Sequence, residues 1–391
     1  MKKLIAISVV FALVAGVAFA VDLGGAVIGT INVLEGSTDE NNDKITSSGG
    51  MNRVRIEGSG EAGDGNFGGW LRFDATNGGV NLGGVNVEGV DTSNDFAAGI
   101  AWWKPIDQFK LSIGVNPDGH WGKEGTTGWM FYQTACDTGV TNPNNTWGGG
   151  GRYEFGLTTR CAFYGGYDSA GALLEIKPMD MLGINIGLPF IANDGAETAD
   201  IFKAMNAQID LNLDFGNIAI SYKGVPNYIQ DGNRGWDGTD GGVIYAYFGG
   251  SFGDLSLDVG IGFQLANEDG TSNPISAGLG LKFASDAVGV KFRAAAAFGG
   301  EQYGGDSPMK VLVDVMPYFG LADNLTAFVS VGLGMLMPDG GDTVIGWHFN
   351  PYLQVGEEWG AKFLFGISVQ SNGGDDAIIS WKVPIAIICS F

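Results

Sequence analysis

The stretch Leu325–Met335, LTAFVSVGLGM, decides the fold: Leu325, Ala327, Val329, Val331, Leu333 and Met335 interleave with Thr326, Phe328, Ser330, Gly332 and Gly334. Successive side chains of a β-strand point to opposite faces, so this spacing predicts one apolar face and one face of Gly and polar groups. The same period returns along the chain. Ile345, Trp347, Phe349, Leu353 and Val355 alternate with Gly346, His348, Asn350, Tyr352 and Gln354. Ala361, Phe363, Phe365, Ile367 and Val369 alternate with Lys362, Leu364, Gly366, Ser368 and Gln370, and Leu255, Leu257, Val259 and Ile261 with Ser256, Asp258, Gly260 and Gly262. Ile209, Leu211 and Leu213 repeat it between Gln208, Asp210 and Asn212. Soluble β-sandwiches also alternate. Here the longer segments reach about ten residues, the length of a tilted membrane-spanning strand, and the second face is wet enough to line a lumen.

Between these segments, short turns carrying an acid recur at Asp180, Asp214, Asp254, Asp286, Asp323 and Glu357, at intervals of 32 to 40 residues. Two turns share one sequence. Lys104-Pro105-Ile106-Asp107 leads into Phe109, Leu111 and Ile113, and Lys177-Pro178-Met179-Asp180 leads into Leu182, Ile184 and Ile186. The alternate connections are longer and polar, as at Glu35–Lys44, Asn193–Asp200, Asp231–Asp240, Asn267–Asn273 and Pro338–Asp342. Short turns on one side and long loops on the other predict an all-β, transmembrane, antiparallel up-and-down barrel of about 18 strands, within roughly 16 to 20. Pro317, Pro351 and Pro384 fall inside expected strands, where each removes a ladder hydrogen bond; bulges or shifted strand ends are expected there.

Composition narrows the classes. Gly accounts for 67 of 391 residues without a three-residue period, and only 16% of residues are charged. That excludes a disordered chain and collagen. A formal net charge of -22 excludes a basic nucleic-acid binder. Three Cys and two His build neither a disulfide scaffold nor a multi-His metal site. No metal or cofactor is expected. At the N-terminus Lys2 and Lys3 precede an apolar run, Leu4 to Phe19, that closes on Ala18-Phe19-Ala20. This is the pattern of a secretory signal peptide, and the run is short for a helical span of about 20 residues. Residues 1–20 are therefore expected to be removed. Val21, not Cys, follows, and residues 21–391 form a single barrel domain.

The last segment carries the most specific mark: Ile379, Trp381, Val383, Ile385, Ile387, Cys389 and Phe391 alternate up to a terminal Phe. Here the chain resembles the outer-membrane β-barrel porins of diderm bacteria, and its Gly-rich, acidic-looped style resembles spirochaete porin-type proteins. The resemblance implies an outer-membrane location, Phe391 as the signal read by the assembly machinery, lipid and small polar solutes as partners, and a homotrimer as the assembled form.

A cylinder of 16 to 18 strands leaves an aqueous channel. A base on the lipid face near the midplane costs about 2–4 kcal/mol, so the scarce bases are expected inside. The inward candidates are Arg53, Arg55, Arg72, Lys110, Lys282, Lys291, Arg293, Lys310, Lys362 and Lys382, with His348. Closing the barrel brings Lys362, Lys382, Arg53, Arg55 and Arg72 into one basic arc. Asp210, Asp254 and Asp258 are expected on the wall across the lumen, which gives a transverse field, although bases that merely solvate the wall fit the sequence equally. The longest connection, residues 116–169, holds Trp121, Trp129, Phe131, Tyr132 and Trp147. By the porin resemblance it folds inward as a constriction, although a surface loop fits the sequence equally. Cys136 and Cys161 flank part of it and are a candidate disulfide in an oxidising envelope. Taken together, these features point to passive diffusion of small hydrophilic solutes and ions, with no catalytic residue. The alternatives are a barrel-anchored adhesin or structural envelope protein and, more remotely, an outer-membrane hydrolase using His348 and Asn350 with Ser368 or Ser380. The exported protein is expected to begin at Val21. Intact-mass measurement or N-terminal sequencing of protein recovered from envelopes checks this, and a mature chain retaining residues 1–20 contradicts it.

Overall fold

The computed structural model describes residues 20–39, 44–62, 65–75, 96–115, 170–189, 205–223, 243–264, 275–285, 287–298, 309–337, 340–356, 361–371, 373 and 377–390. Among them the chain forms β1 (Ala20–Ser37), β2 (Thr46–Glu61), β3 (Phe67–Ala75), β4 (Phe96–Ile106), β5 (Phe109–Val115), β6 (Ala170–Met179) and β7 (Leu182–Pro189). It continues through β8 (Asn206–Leu213), β9 (Gly216–Lys223), β10 (Val243–Phe252), β11 (Leu255–Gln264), β12 (Ile275–Ala284) and β13 (Val288–Phe298). The last elements are β14 (Met309–Ala322), β15 (Leu325–Met337), β16 (Val344–Gly356), β17 (Lys362–Gly366), β18 (Ser368–Ser371) and β19 (Ile379–Ser390). From β1 to β17 each strand pairs antiparallel with the next, β18 pairs with β16 and β19, and β19 pairs with β1, from Ala26 opposite Ser390 to Ser37 opposite Ser380. That pairing closes the sheet on itself. β17 and β18 both lie between β16 and β19, so they are two halves of one spanning strand and the wall has eighteen strands.

The hairpins follow the sequence signals. Two-residue turns join β4 to β5 at Asp107-Gln108, β6 to β7 at Asp180-Met181, β8 to β9 at Asp214-Phe215 and β14 to β15 at Asp323-Asn324. In the repeated Lys-Pro-X-Asp turns, the register shifts between Trp103 and Ile106 and again between Ile176 and Met179. Pro105 and Pro178 sit in these shifts, where a residue without an N–H breaks no ladder bond. The Lys104 ammonium lies 2.8 Å from Asp107, and its hydrogen bond holds that carboxyl below the ordinary value. Both described chain ends lie on this short-turn side. The longer connections join strand ends on the opposite side, and the longest in sequence, 116–169, joins β5 to β6.

The prolines act in different ways. Pro384 pairs with Asn32 beside the register shift between Asn32 and Leu34, as expected for a bulge. Pro351 keeps its register opposite Val329. Its effect appears on the other edge: Ile367 N–H donates to the Pro351 carbonyl at 2.9 Å, Pro351 has no N–H to return the bond, and the strand divides there into β17 and β18. Pro317 pairs with Val290, while the ladder to β15 lapses between Val315 opposite Val331 and Tyr318 opposite Phe328 without a change of register.

The apolar set faces out. Ile209, Ile220, Val259, Ile261, Leu333, Phe349, Phe363, Phe365 and Ile387 are all exposed on the outer surface, a band that soluble proteins do not leave in water. The inner set is buried or half-buried. It is not wholly polar, as the alternation alone implied. Tyr318, Phe328 and Tyr352 stand directly opposite one another on β14, β15 and β16 and stack at centroid distances of 5.6 and 4.8 Å. Met316, Leu364, Ala386, Ile388 and Ile28 pack with them on the inner wall.

Glycine has a steric role here. Gly68 faces Trp102, Gly289 faces Tyr318 and Gly36 faces Trp381, each directly across a strand pair. A Cβ at any of the three would run into the opposing ring, so the ring lies flat over the glycine backbone. Gly289→Leu is expected to displace Tyr318 and cost about 1–3 kcal/mol. A lowered urea midpoint for the barrel-to-unfolded gel shift, measured in detergent micelles, is the check. An unchanged midpoint would remove the ring-over-glycine explanation.

Candidate pore lining

Registers place the charged candidates on the inner wall row by row. Arg55 pairs with Ala26 and Asp74, Arg72 with Glu57, and Lys110 with Glu175. Asp210 pairs with Gly183, and Asp258 with Gly280. Lys282 stands opposite Lys291, Arg293 opposite Asp314, His348 opposite Gly332, Lys362 opposite Gly356, and Lys382 opposite Glu35 and Ser368. The Arg53 backbone pairs with Ile28 in line with Arg55; its side chain, like that of Lys310, lies outside the described residues. Trp121, Trp129, Phe131, Tyr132, Trp147, Cys136, Cys161 and Phe391 also lie outside the described residues.

Two expectations are corrected. Asp254 is not on the wall. Phe252 pairs with Leu255, so Gly253 and Asp254 form the exposed two-residue turn between β10 and β11. Its acid belongs to the turn series rather than to the inward rows. The basic arc is also not bare. In the eighteen-strand ring β10 stands opposite β1, so the strands carrying Arg55, Arg72, Lys362 and Lys382 do gather across from β8 and β11. Yet the period of two places Glu57 on the same face as Arg55 and Arg72. Its carboxylate meets Arg72 Nε at 2.5 Å and Arg55 at 3.5 Å. Glu35 likewise faces Lys382. Across the lumen Asp210 accepts from Gln208 at 2.8 and 2.9 Å and from Asn185 at 3.0 Å, and Asp258 accepts from Tyr247 Oη at 2.7 Å. The basic wall is therefore offset in part by its own acids, whereas Asp210 and Asp258 keep their charge, held by neutral amide and phenol donors.

A covered polar belt continues over β13 to β18. Arg293 and Asp314, 0% and 1% exposed, form an ion pair in which Arg293 Nε donates to Asp314 at 3.0 Å and Nη2 donates to the same oxygen. Gly332 separates Asp314 from His348 in the next row. His348 Nε2 is 3.0 Å from Ser330 Oγ, and its buried Nδ1 has no hydrogen-bond partner among the described residues. The serine bonded to His348 is thus Ser330, rather than Ser368 or Ser380, and among the described residues no carboxylate hydrogen-bonds the imidazole. Asn350 and Ser330 pair directly, and both are buried.

Several wall residues escaped the sequence reading. Glu57 and Asp314 were detectable as partners on the inward period of Arg55 and Lys310. Trp70, Trp102 and Glu175 also lie on inward positions. Their contacts arise from cross-strand register, which one strand's own sequence does not contain.

No family model matches the chain, and no curated protein matches it. Solved structures do. The outer membrane protein OpdK of Pseudomonas aeruginosa aligns over 95% of this chain and 99% of its own, at 9% identity and a TM-score of 0.53. OccK8 (OprE) of Pseudomonas aeruginosa aligns over 94% and 98%, at 9% identity and a TM-score of 0.51. In-vitro folded OmpT, an outer membrane protein of Vibrio cholerae, aligns over 95% and 98%, at 12% identity and a TM-score of 0.50. The chain has the fold of an outer-membrane β-barrel. At these identities the likeness concerns the wall, and the lining must be read from this chain's own residues.

In such a barrel the Arg293–Asp314 pair is held away from water, so removing one partner leaves a buried charge uncompensated. Asp314→Ala is expected to cost about 3–5 kcal/mol, while Arg293→Met combined with Asp314→Leu costs much less. Urea unfolding of the two variants in micelles makes the comparison, and equal losses would contradict it.

Proposed function

We propose that the chain is a porin of the outer membrane of a diderm bacterium, exported by its signal peptide and acting as a passive diffusion channel for small hydrophilic solutes and ions. One observation carries this reading: a closed eighteen-strand wall whose outer face is apolar and whose inner face holds nearly all the charged groups of the strands. At a strand spacing of about 4.8 Å and a tilt near 40°, such a wall is roughly 35 Å across at the backbone. Rings of this strand number leave an aqueous channel. Selectivity in such a channel comes from width and from the groups that line it, and no chemical step or cofactor is involved. An adhesin or structural envelope protein would use the same wall only as an anchor.

Purified protein added to a planar lipid bilayer in KCl is expected to give stepwise increases in conductance. A membrane that stays ion-tight while spectroscopy reports inserted β-barrel would favour the anchor reading. The lining makes a second expectation. Glu57→Gln removes the carboxylate shared by Arg55 and Arg72, so the channel should shift toward anions. The reversal potential across a KCl gradient reads this directly, and a shift toward cations contradicts the assignment.

A further inference from the structure

One sector of the inner wall differs from the arc that faces it. The side chains of Glu57, Trp70, Arg72, Trp102, Lys110 and Glu175, on β2 to β6, are half-buried, whereas Asp258, Arg293 and Asp314 on the far arc are fully covered. A solute in the bore therefore meets this sector. Its two indoles are diagonal neighbours on adjacent strands, Trp70 opposite Ile100 and Trp102 opposite Gly68. Diagonal neighbours of this kind lie within reach of long aromatic side chains. Gly68 lets Trp102 lie flat against the wall rather than stand into the lumen.

Each ring carries over its face a cation that is also paired with a carboxylate, and Glu57 is shared with Arg55. The Arg72 guanidinium lies 4.9 Å from the Trp70 centroid and bonds Glu57 at 2.5 Å. Lys110 Nζ lies 5.3 Å from the Trp102 centroid and 2.9 Å from Glu175. This pairing decides among solute classes. An anion drawn to Arg72 or Lys110 meets the adjoining carboxylate, and a cation drawn to Glu57 or Glu175 meets the adjoining base. A neutral polyol finds donors and acceptors side by side, and its C–H face packs on indole as the cation over the ring swings aside to bond a hydroxyl. Lys110 and Glu175 are 33% and 24% exposed, so their ion pair opens toward a hydroxyl at little loss.

We propose that this sector is a subsite for neutral sugars, in which a hexopyranose ring passes over Trp70 and Trp102 while its hydroxyls exchange hydrogen bonds with Arg72, Glu57, Lys110 and Glu175. The inference rests on the channel reading and names its substrate class.

The test is ion current through the reconstituted full-length mature protein, with maltotriose added to one side. The expected result is a reversible, saturable reduction of current. Trp102→Ala and Trp70→Ala should each raise the half-blocking concentration by about tenfold, in line with loss of one aromatic contact. Trp103→Ala, which removes the neighbouring indole from the outer face, should keep the wild-type value. If a tryptophan variant fails to fold, the wild-type channel still decides, through maltotriose compared with benzoate and with tetramethylammonium. Open channels that maltotriose does not block, or that either ion blocks at lower concentration than the sugar, overturn the subsite and leave the porin reading standing. Protein that inserts as a barrel yet never conducts overturns both.

Discussion

The structure depends on the ladder between β1 and β19. In hydrocarbon an unpaired backbone amide or carbonyl costs several kcal/mol, and a sheet with free edges would expose two rows of them. Pairing Ala26–Ser37 with Ser380–Ser390 removes both edges at once. The remaining architecture follows from that closure. An even number of spanning strands returns the chain to its starting side, which is why the first residues of β1 and the last of β19 both lie among the short turns. The bulge beside Asn32 lets this seam accommodate Pro384, and pairing resumes beyond it with the register moved by one residue.

Closure also sets what the side chains must do. The outer face requires only hydrophobicity, and large apolar residues stand there with little specificity. The inner face is concave and crowded, so cross-strand complementarity matters more. Gly68 under Trp102 and Gly289 under Tyr318 are two instances in which one strand gives up its side chain to seat a ring from the next. The high glycine content therefore reflects packing on a curved wall as much as freedom in loops. The Tyr318–Phe328–Tyr352 stack shows that part of the inner surface is sealed with aromatic rings rather than wetted.

The charges obey the same logic. Period two places a residue and its second neighbour on one face, and antiparallel pairing places a third beside them. Arg55, Glu57 and Arg72 meet in this way, as do Lys110 with Glu175 and Arg293 with Asp314. The partly exposed pairs around Glu57 and Glu175 present hydrogen bonds to a passing solute, whereas Arg293–Asp314 is covered. That suits a channel for polar neutral molecules and ties the proposed sugar subsite to the way the wall is assembled.

Much of this was legible in the chain alone. Alternation from Leu325 to Met335 and in its sister segments settled the strand class and the outward face, because side-chain direction in a strand is a local property. The repeated Lys-Pro-X-Asp turns marked the short side, and the segment after β5 stood out as the longest connection. Register was beyond it. Nothing within β2 states that Glu57 will face Arg72 on β3, and nothing within β16 states that His348 will bond Ser330 on β15. The basic arc thus looked bare until its acids were placed, and Asp254 looked like lining until the turn was closed around it. A strand's own residues determine which way each side chain points, but only the paired sheet decides what it meets.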